Sequence, residues 1–208
     1  MYSYNEKGCY NVDLTKVNEQ LCIINQKLHE KCSNLHISCN NYYNMTGTIS
    51  IFNIADGLVL CLYKDDECIS SISIEYMYKD TVEMSSKTSM AHTGKKYNKF
   101  LRTVLFTICP YITCNEVCIN KIVSDAINPI TAWSLIGYYD TTYISDPSDV
   151  YSEFKKENSD LDVKQLIFKA YANGVTFEIT IELTADNIAK SNALLNKLLL
   201  DAPNSLIC

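Results

Sequence analysis

The 208-residue sequence predicts an α+β chain of three layers, with a mixed, mostly antiparallel central sheet and helices on both faces. Two observations predict it. Apolar residues recur at every second position from about residue 48 to residue 89, and at steps of three and four in the segments before and after. With 47% hydrophobic residues the chain can close one core of ordinary size, which excludes intrinsic disorder, and its length excludes two large domains. Residues 1–145 read as the main unit with an N-terminal helix. Residues 146–208 read as an extension completing the same domain through a polar loop, a hairpin and a final helix.

Taken in order, Leu14, Val17, Leu21, Ile24 and Leu28 line one face of a helix of about 18 residues, with Asp13 at the N-cap position. Residues 48–54 and 58–63, joined at Asp56 and Gly57, read as a hairpin. Ile69, Ile72, Ile74 and Tyr76 mark the next strand, and after a turn at Lys79 and Asp80 residues 81–89 form a more polar one. Tyr97, Leu101, Val104, Leu105 and Ile108 return to helical spacing, which Pro110 stops. Residues 117–126 read as a strand. Asn128 and Pro129 are a helix cap followed by proline at the first helical position, and that short helix ends at Gly137. Residues 138–144 read as strand and 145–162 as an acidic surface excursion. The runs 164–171 and 175–183 flank Asn173 and Gly174 as a hairpin, and Thr184 caps a last helix.

A net charge of −6 and a pI near 5.1 exclude a general nucleic-acid binder, which needs cations to displace phosphate counterions. No export signal and no membrane-length apolar run is present, so a cytoplasmic protein with no membrane partner is expected. Fifteen tyrosines against a single arginine, Arg102, suggest translation from an AT-rich genome. The ten cysteines are expected as reduced thiols, with Cys61, Cys68, Cys109 and Cys118 packed among apolar neighbours. Asn44, Met45 and Thr46 fit a glycosylation acceptor, which has no meaning in such a compartment. His29, Cys32, His36 and Cys39 have ligand types that zinc accepts; four ligands on one straight helix cannot surround an ion, although a turn at Ser33 and Asn34 would bring them round one, and the plainer expectation is a helix end over 29–39 with no metal. Trp133 is expected in the core.

The segment from Ser89 through Gly94, Lys95 and Lys96 to Leu101 combines a lysine-rich loop with a helix start. Such a start presents unpaired N–H groups and a positive dipole end to an anion. With the preceding strands, and with Ser124, Asp125, Ala126, Ile127, Asn128, Pro129 and the later Gly137 and Tyr138, this order resembles the Gcn5-related N-acetyltransferase superfamily over about residues 48–145. The resemblance implies an acyl-CoA acyltransferase fold, acetyl-CoA as cofactor and an amine acceptor. It also implies a pyrophosphate loop at Thr93, Gly94, Lys95, Lys96, Tyr97 and Asn98, with Asn128 near the cofactor. The family pattern of Gln or Arg, two residues, Gly, one residue, then Gly or Ala falls here on Thr93, Lys96 and Asn98. None keeps its usual residue.

The same resemblance implies that backbone N–H groups at Lys87, Thr88 and Ser89 polarise the thioester carbonyl. It implies a general base at Glu83, with Glu75 the competing choice. The tyrosine that many members use as acid toward the departing thiolate falls on Leu135, leaving Tyr138 or Tyr139 as substitutes, with Tyr138 the candidate. His92 is a loop histidine able to touch a ligand or carry a proton. Three departures in the loop and the missing tyrosine leave a second expectation open, the same fold without catalysis serving as a binding or structural protein.

Overall fold

The computed structural model describes residues 10–12, 14–42, 57–78, 80–114, 117–125, 128–140, 142–146 and 148–201. The first elements are a short strand, β1 (Tyr10–Val12), and helix α1 (Leu14–His29), whose Val17, Leu21, Ile24 and Leu28 are buried as their spacing requires. Asp13, the 44–46 acceptor, the strand expected at 48–54, Asp56, Lys79, Ala126 and Ile127 lie outside the described residues.

The sheet then builds in order: β2 (Leu35–Tyr42), β3 (Gly57–Lys64), β4 (Glu67–Tyr78) and β5 (Thr81–Thr88), each antiparallel to the one before. Strand β2 corrects the reading of 29–39 as a helix end. Leu35 and Ile37 are buried while His36 between them is exposed, which is strand periodicity. Ile69, Ile72 and Ile74 are all buried despite the odd first step because the β3/β4 register shifts at Leu62/Tyr63, leaving Ile69 as an extra residue between the Ser70 and Cys68 pairings.

Helix α2 (Tyr97–Ile108) follows and buries Tyr97, Phe100, Leu101, Val104, Leu105 and Ile108, each contributing about 1.5–3 kcal/mol of burial. Residues 117–126 are not one strand. Val117–Cys118 (β7) pairs with Ile112–Cys114 (β6), which also pairs with β1, in a separate three-stranded sheet; only Lys121–Asp125 (β8) joins the main sheet. Helix α3 (Pro129–Tyr138) and strand β9 (Thr142–Ser145) come next. The stretch read as a surface excursion contains helix α4 (Val150–Glu157).

The expected hairpin at 164–183 is corrected: its first arm is helix α5 (Val163–Ala172) and its second is strand β10 (Glu178–Glu182). Asp162 and Gln165 form a reciprocal capping box at the start of α5. Gly174, at φ +70°, ends the helix: the Val175 N–H donates to the Ala170 carbonyl at 2.9 Å and the Gly174 N–H to Tyr171 at 3.1 Å. Helix α6 (Ala185–Leu200) closes the described chain, its Thr184 cap accepting the Asn187 N–H at 3.2 Å.

The main sheet has seven strands in the order β2-β3-β4-β5-β8-β10-β9, mixed because β5 and β8 run parallel and all other pairs antiparallel. With six α-helices among the described residues, the chain is an α+β protein with an open sheet, as the alternating periodicities predict. Strand β10 inserts between β8 and β9, so the segment after residue 145 supplies an interior strand. At the β2 edge, Asn25 of α1 satisfies both backbone groups of Ile37, donating at 2.9 Å and accepting at 2.8 Å.

Candidate functional site

Strands β5 and β8 start side by side and part. Their pairing runs from Thr81 with Lys121 to Met84 with Ser124; among the described residues, 85–88 have no strand partner on that side. β8 continues to Asp125 against β10. Along 85–88 the backbone groups that alternate away from β4 therefore face the gap. On the other side this strand end is held firmly: Ser70 Oγ lies 2.9 Å from Thr88 Oγ1 and donates to the Lys87 carbonyl at 3.2 Å, and the Ser89 N–H donates to Ile69 at 3.0 Å.

From that end the chain turns through a short 3-10 segment, Met90–His92. The Thr93 hydroxyl donates back to the Ser89 carbonyl at 3.4 Å. Two left-handed residues then steer the chain into α2, Gly94 at φ +84° and Lys96 at φ +61°. Lys96 stands where the family pattern has glycine, and its backbone adopts the conformation that glycine is used for, at about 1–2 kcal/mol for a residue with a Cβ. A left-handed residue followed by a helical one turns successive N–H groups toward a common point. Among the described residues no side chain caps α2, and its first internal bond runs from the Phe100 N–H to Lys96 at 3.0 Å. A Cβ built on Gly94 meets nothing within 4 Å, so the space beside the loop is open.

His92 packs its ring 6.0 Å from that of Tyr97, and its buried Nδ1 has no hydrogen-bond partner among the described residues. Tyr97 is buried, which pushes its phenol pKa up. Lys87, Thr93 and Lys96 are exposed, while Lys95 and Asn98 are half-buried. An oxyanion placed here would meet helix N–H groups and lysine ammoniums, a donor set that fits a pyrophosphate.

Glu83 sits on β5 one residue before the last recorded pairing with β8, beside the parting of the strands, and half-buried. Its neighbour across the ladder is Glu75, so both candidate bases share one patch of one face. The remaining candidates are placed differently. Asn128 caps α3, its Oδ1 accepting from Ile130 N at 2.8 Å and Thr131 N at 3.4 Å. Tyr138 donates its hydroxyl to the Lys190 carbonyl at 3.0 Å, and Tyr139 is buried with its hydroxyl 2.8 Å from Ser191 Oγ, so both tie the end of α3 to α6. Leu135 is buried.

The zinc-like set is dispersed. His29 ends α1, His36 and Cys39 point to opposite faces of β2, and Cys32 is disulfide-bonded. That disulfide corrects the expectation of reduced thiols at this position, whereas Cys22, Cys39, Cys61, Cys68, Cys109 and Cys118 are free. Cys109 is buried as expected; Cys68 and Cys118 are exposed rather than packed. Trp133 is likewise not in the core: it is exposed, with Lys164 Nζ 6.0 Å from its ring. A groove of about 740 Å³ between α1 and β2 involves none of the loop or strand-end residues. What the sequence reading missed is Arg102, which is buried in the second turn of α2. Being the chain's single arginine was the one signal that could have singled it out.

No family model and no curated protein matches the chain in sequence. Among solved structures it is similar to an IAA acetyltransferase from Bacillus cereus, at 13% identity and a TM-score of 0.41 over 70% of this chain and 99% of that one. It is similar to a GNAT family acetyltransferase from Elizabethkingia anophelis solved with acetyl-CoA bound, at 15% identity and a TM-score of 0.41 over 72% and 98%. It is also similar to a cAMP-binding acyltransferase from Mycobacterium smegmatis, at 10% identity and a TM-score of 0.42, covering 91% of this chain and 60% of that one.

Proposed function

We propose that the chain is an acetyl-CoA-dependent N-acetyltransferase that transfers an acetyl group to an amine directly, in a ternary complex. The observation that carries this reading is the parting of β5 from β8 beside a loop that enters α2 through Gly94 and Lys96, both left-handed, with no side-chain cap. Thr93, Gly94, Lys95, Lys96, Tyr97 and Asn98 would hold the pyrophosphate, and the bound cofactor would supply an activated acyl thioester. The N–H groups along Lys87, Thr88 and Ser89 would polarise its carbonyl oxygen, and Glu83 would take the proton of the attacking amine. Asn128 is bound into its own helix cap, so its part at the cofactor would be confined to the amide nitrogen. Tyr138 can act as acid only by leaving the Lys190 carbonyl to which it now donates.

The setting we propose is cytoplasmic, which the free thiols support and the Cys32 disulfide does not. No helix among the described residues is long and apolar enough to cross a membrane.

A second reading has its own support: Lys96 at the glycine position and Tyr138 engaged by α6 both fit a member of this fold that binds without catalysing. Calorimetry with acetyl-CoA and CoA, followed by a thiol-release assay across polyamines, peptide N-termini, lysine peptides and aminoglycosides, separates the two. Binding with release supports transfer. Binding without release across the panel supports the second reading, and no heat with either ligand removes transfer and leaves the same fold serving as a binding or structural protein.

A further inference from the structure

Strand β3 buries Leu58, Leu60 and Leu62 on one face of the sheet, so Cys61 and Tyr63 point to the other. Across the β3/β4 ladder Cys61 stands opposite Ser71 and Tyr63 opposite Cys68. Ser71 and Cys68 are three residues apart and in a regular strand would lie on opposite faces. The register shift changes that. Ile69 and Ser70 are both buried, on the side of Leu62, and this extra residue returns Cys68 to the outer face beside Cys61. The two cysteines are thus diagonal neighbours on adjacent strands. The Cys68 thiol leans the right way: it donates to the Ser70 carbonyl at 3.7 Å, next to Ser71 and so level with Cys61, and the two thiols share a side-chain hydrogen bond.

Both thiols are free, Cys61 half-buried and Cys68 exposed. Burial first and then Cys68 push the Cys61 thiol up to about 11, because two thiolates this close repel each other. A cation held by both sulfurs removes that repulsion, and thiolates select soft metals over hard ones. Among the described residues no group of three or more His, Cys, Asp or Glu side chains could hold a metal, and the imidazole of His36 on β2 is stacked on Tyr63 with ring centroids 5.0 Å apart. Zinc, which takes four protein ligands in structural sites, does not fit two sulfurs. A soft monovalent ion that accepts two sulfur ligands does.

We propose that Cys61 and Cys68 form a two-thiolate site for a soft monovalent cation, Cu(I), on the outer face of β3 and β4. Binding forms two Cu–S bonds, releases both thiol protons to solvent and leaves copper and sulfur in their oxidation states. The site stands on strand register and does not rest on the acyl-CoA reading.

The test uses the full chain, kept under nitrogen without added reductant. Cu(I), supplied as its acetonitrile complex, is titrated against the chromogenic chelator bicinchoninate. We expect wild type to withhold one equivalent from the chelator and to gain ultraviolet Cu(I)–thiolate absorption. Cys61→Ser and Cys68→Ser should each give the ion up, whereas Cys22→Ser and Cys118→Ser, at exposed cysteines elsewhere, should keep it. Serine is close to cysteine in size, and melting temperature shows whether each variant is folded. A second measurement needs no variant. Phenylarsine oxide condenses with two neighbouring thiols, forming two As–S bonds and releasing water, and peptide mapping of treated wild type should find one arsenic bridging Cys61 and Cys68. Wild type that yields all copper to the chelator, retention of the ion in both the Cys61 and Cys68 variants, loss of it in the Cys22 or Cys118 variant as well, or an arsenic bridge that omits either cysteine overturns the site.

Discussion

Glu83 on β5 is paired directly with Glu75 on β4, two carboxylates facing each other across adjacent strands beside the gap where β5 leaves β8. Like charges directly opposite each other on neighbouring strands destabilise a sheet. The two are not equivalent. Glu83 alone is also paired with β8, through Val123, which places it at the parting of the strands.

Substituting the two should therefore separate their roles. Glu83→Gln is expected to lower kcat for acetyl transfer by roughly 10²- to 10⁴-fold in the thiol-release assay. Glu75→Gln should change kcat little and leave stability within about 1 kcal/mol of wild type. Equal losses in both variants would mean that charge, and not proton abstraction at Glu83, is what matters.

Lys96 and Gly94 make a second pair with opposite expectations. Lys96→Gly places the residue type suited to φ +61° at that position and should raise stability by up to about 1 kcal/mol in a denaturant titration, the gain being reduced by the greater freedom of glycine in the unfolded chain. Gly94→Ala should cost about 1 kcal/mol even though its Cβ meets nothing within 4 Å, because φ +84° is unfavourable for alanine.

Cysteine titration gives an alkaline signature. Full burial pushes the Cys109 thiol pKa from its ordinary 9.0 up to about 12. The unfolded chain releases this proton first. The stability that the protonated thiol supports is thus complete below pH 9 and is lost as pH rises toward 12, at about 1.4 kcal/mol per unit. Cys109→Ala should flatten that decline in urea titrations at successive pH values. Cys39, also pushed up to about 12 by burial first and then by Cys61, leaves a residual slope. In the native protein the exposed Cys22, Cys68 and Cys118 should react with a thiol reagent well before Cys109 does.

The parts of the fold written in local chemistry were legible. Helices α1, α2, α3 and α6 announce themselves through apolar spacing, Pro110, the Asn128–Pro129 pair and the Thr184 cap. Strand β2 was hidden because its His36 and Cys39 also fit helical steps from His29 and Cys32, and only the burial of Leu35 and Ile37 settles the period. The loop at 93–98 could be found from its lysines and its glycine, but the left-handed turn at Lys96 could not, since lysine gives no sign of positive φ. The burial of Arg102 was beyond reach for a different reason. It comes from the packing of α2 against other elements of the fold, α6 among them, which spacing along one helix does not show.

The segment around Gly174 offers the sharpest check on that account, because one dipeptide supports two structures. Asn173 and Gly174 between apolar runs signal a hairpin, yet Leu166, Ile167 and Ala170 are buried at helical spacing, and Asp162 with Gln165 fixes the helix start upstream. Glycine is needed here to turn the chain at φ +70° so that the last carbonyls of α5 accept from Gly174 and Val175. No atom lies within 4 Å of an added Cβ, so Gly174→Ala should cost only the backbone penalty, about 1 kcal/mol, and Gly174→Asn less. Amide exchange measured on both variants should rise first at 173–175 while β10 stays protected. Loss of protection at β10 together with 163–172 would instead point to the paired strands of a hairpin and contradict the helix.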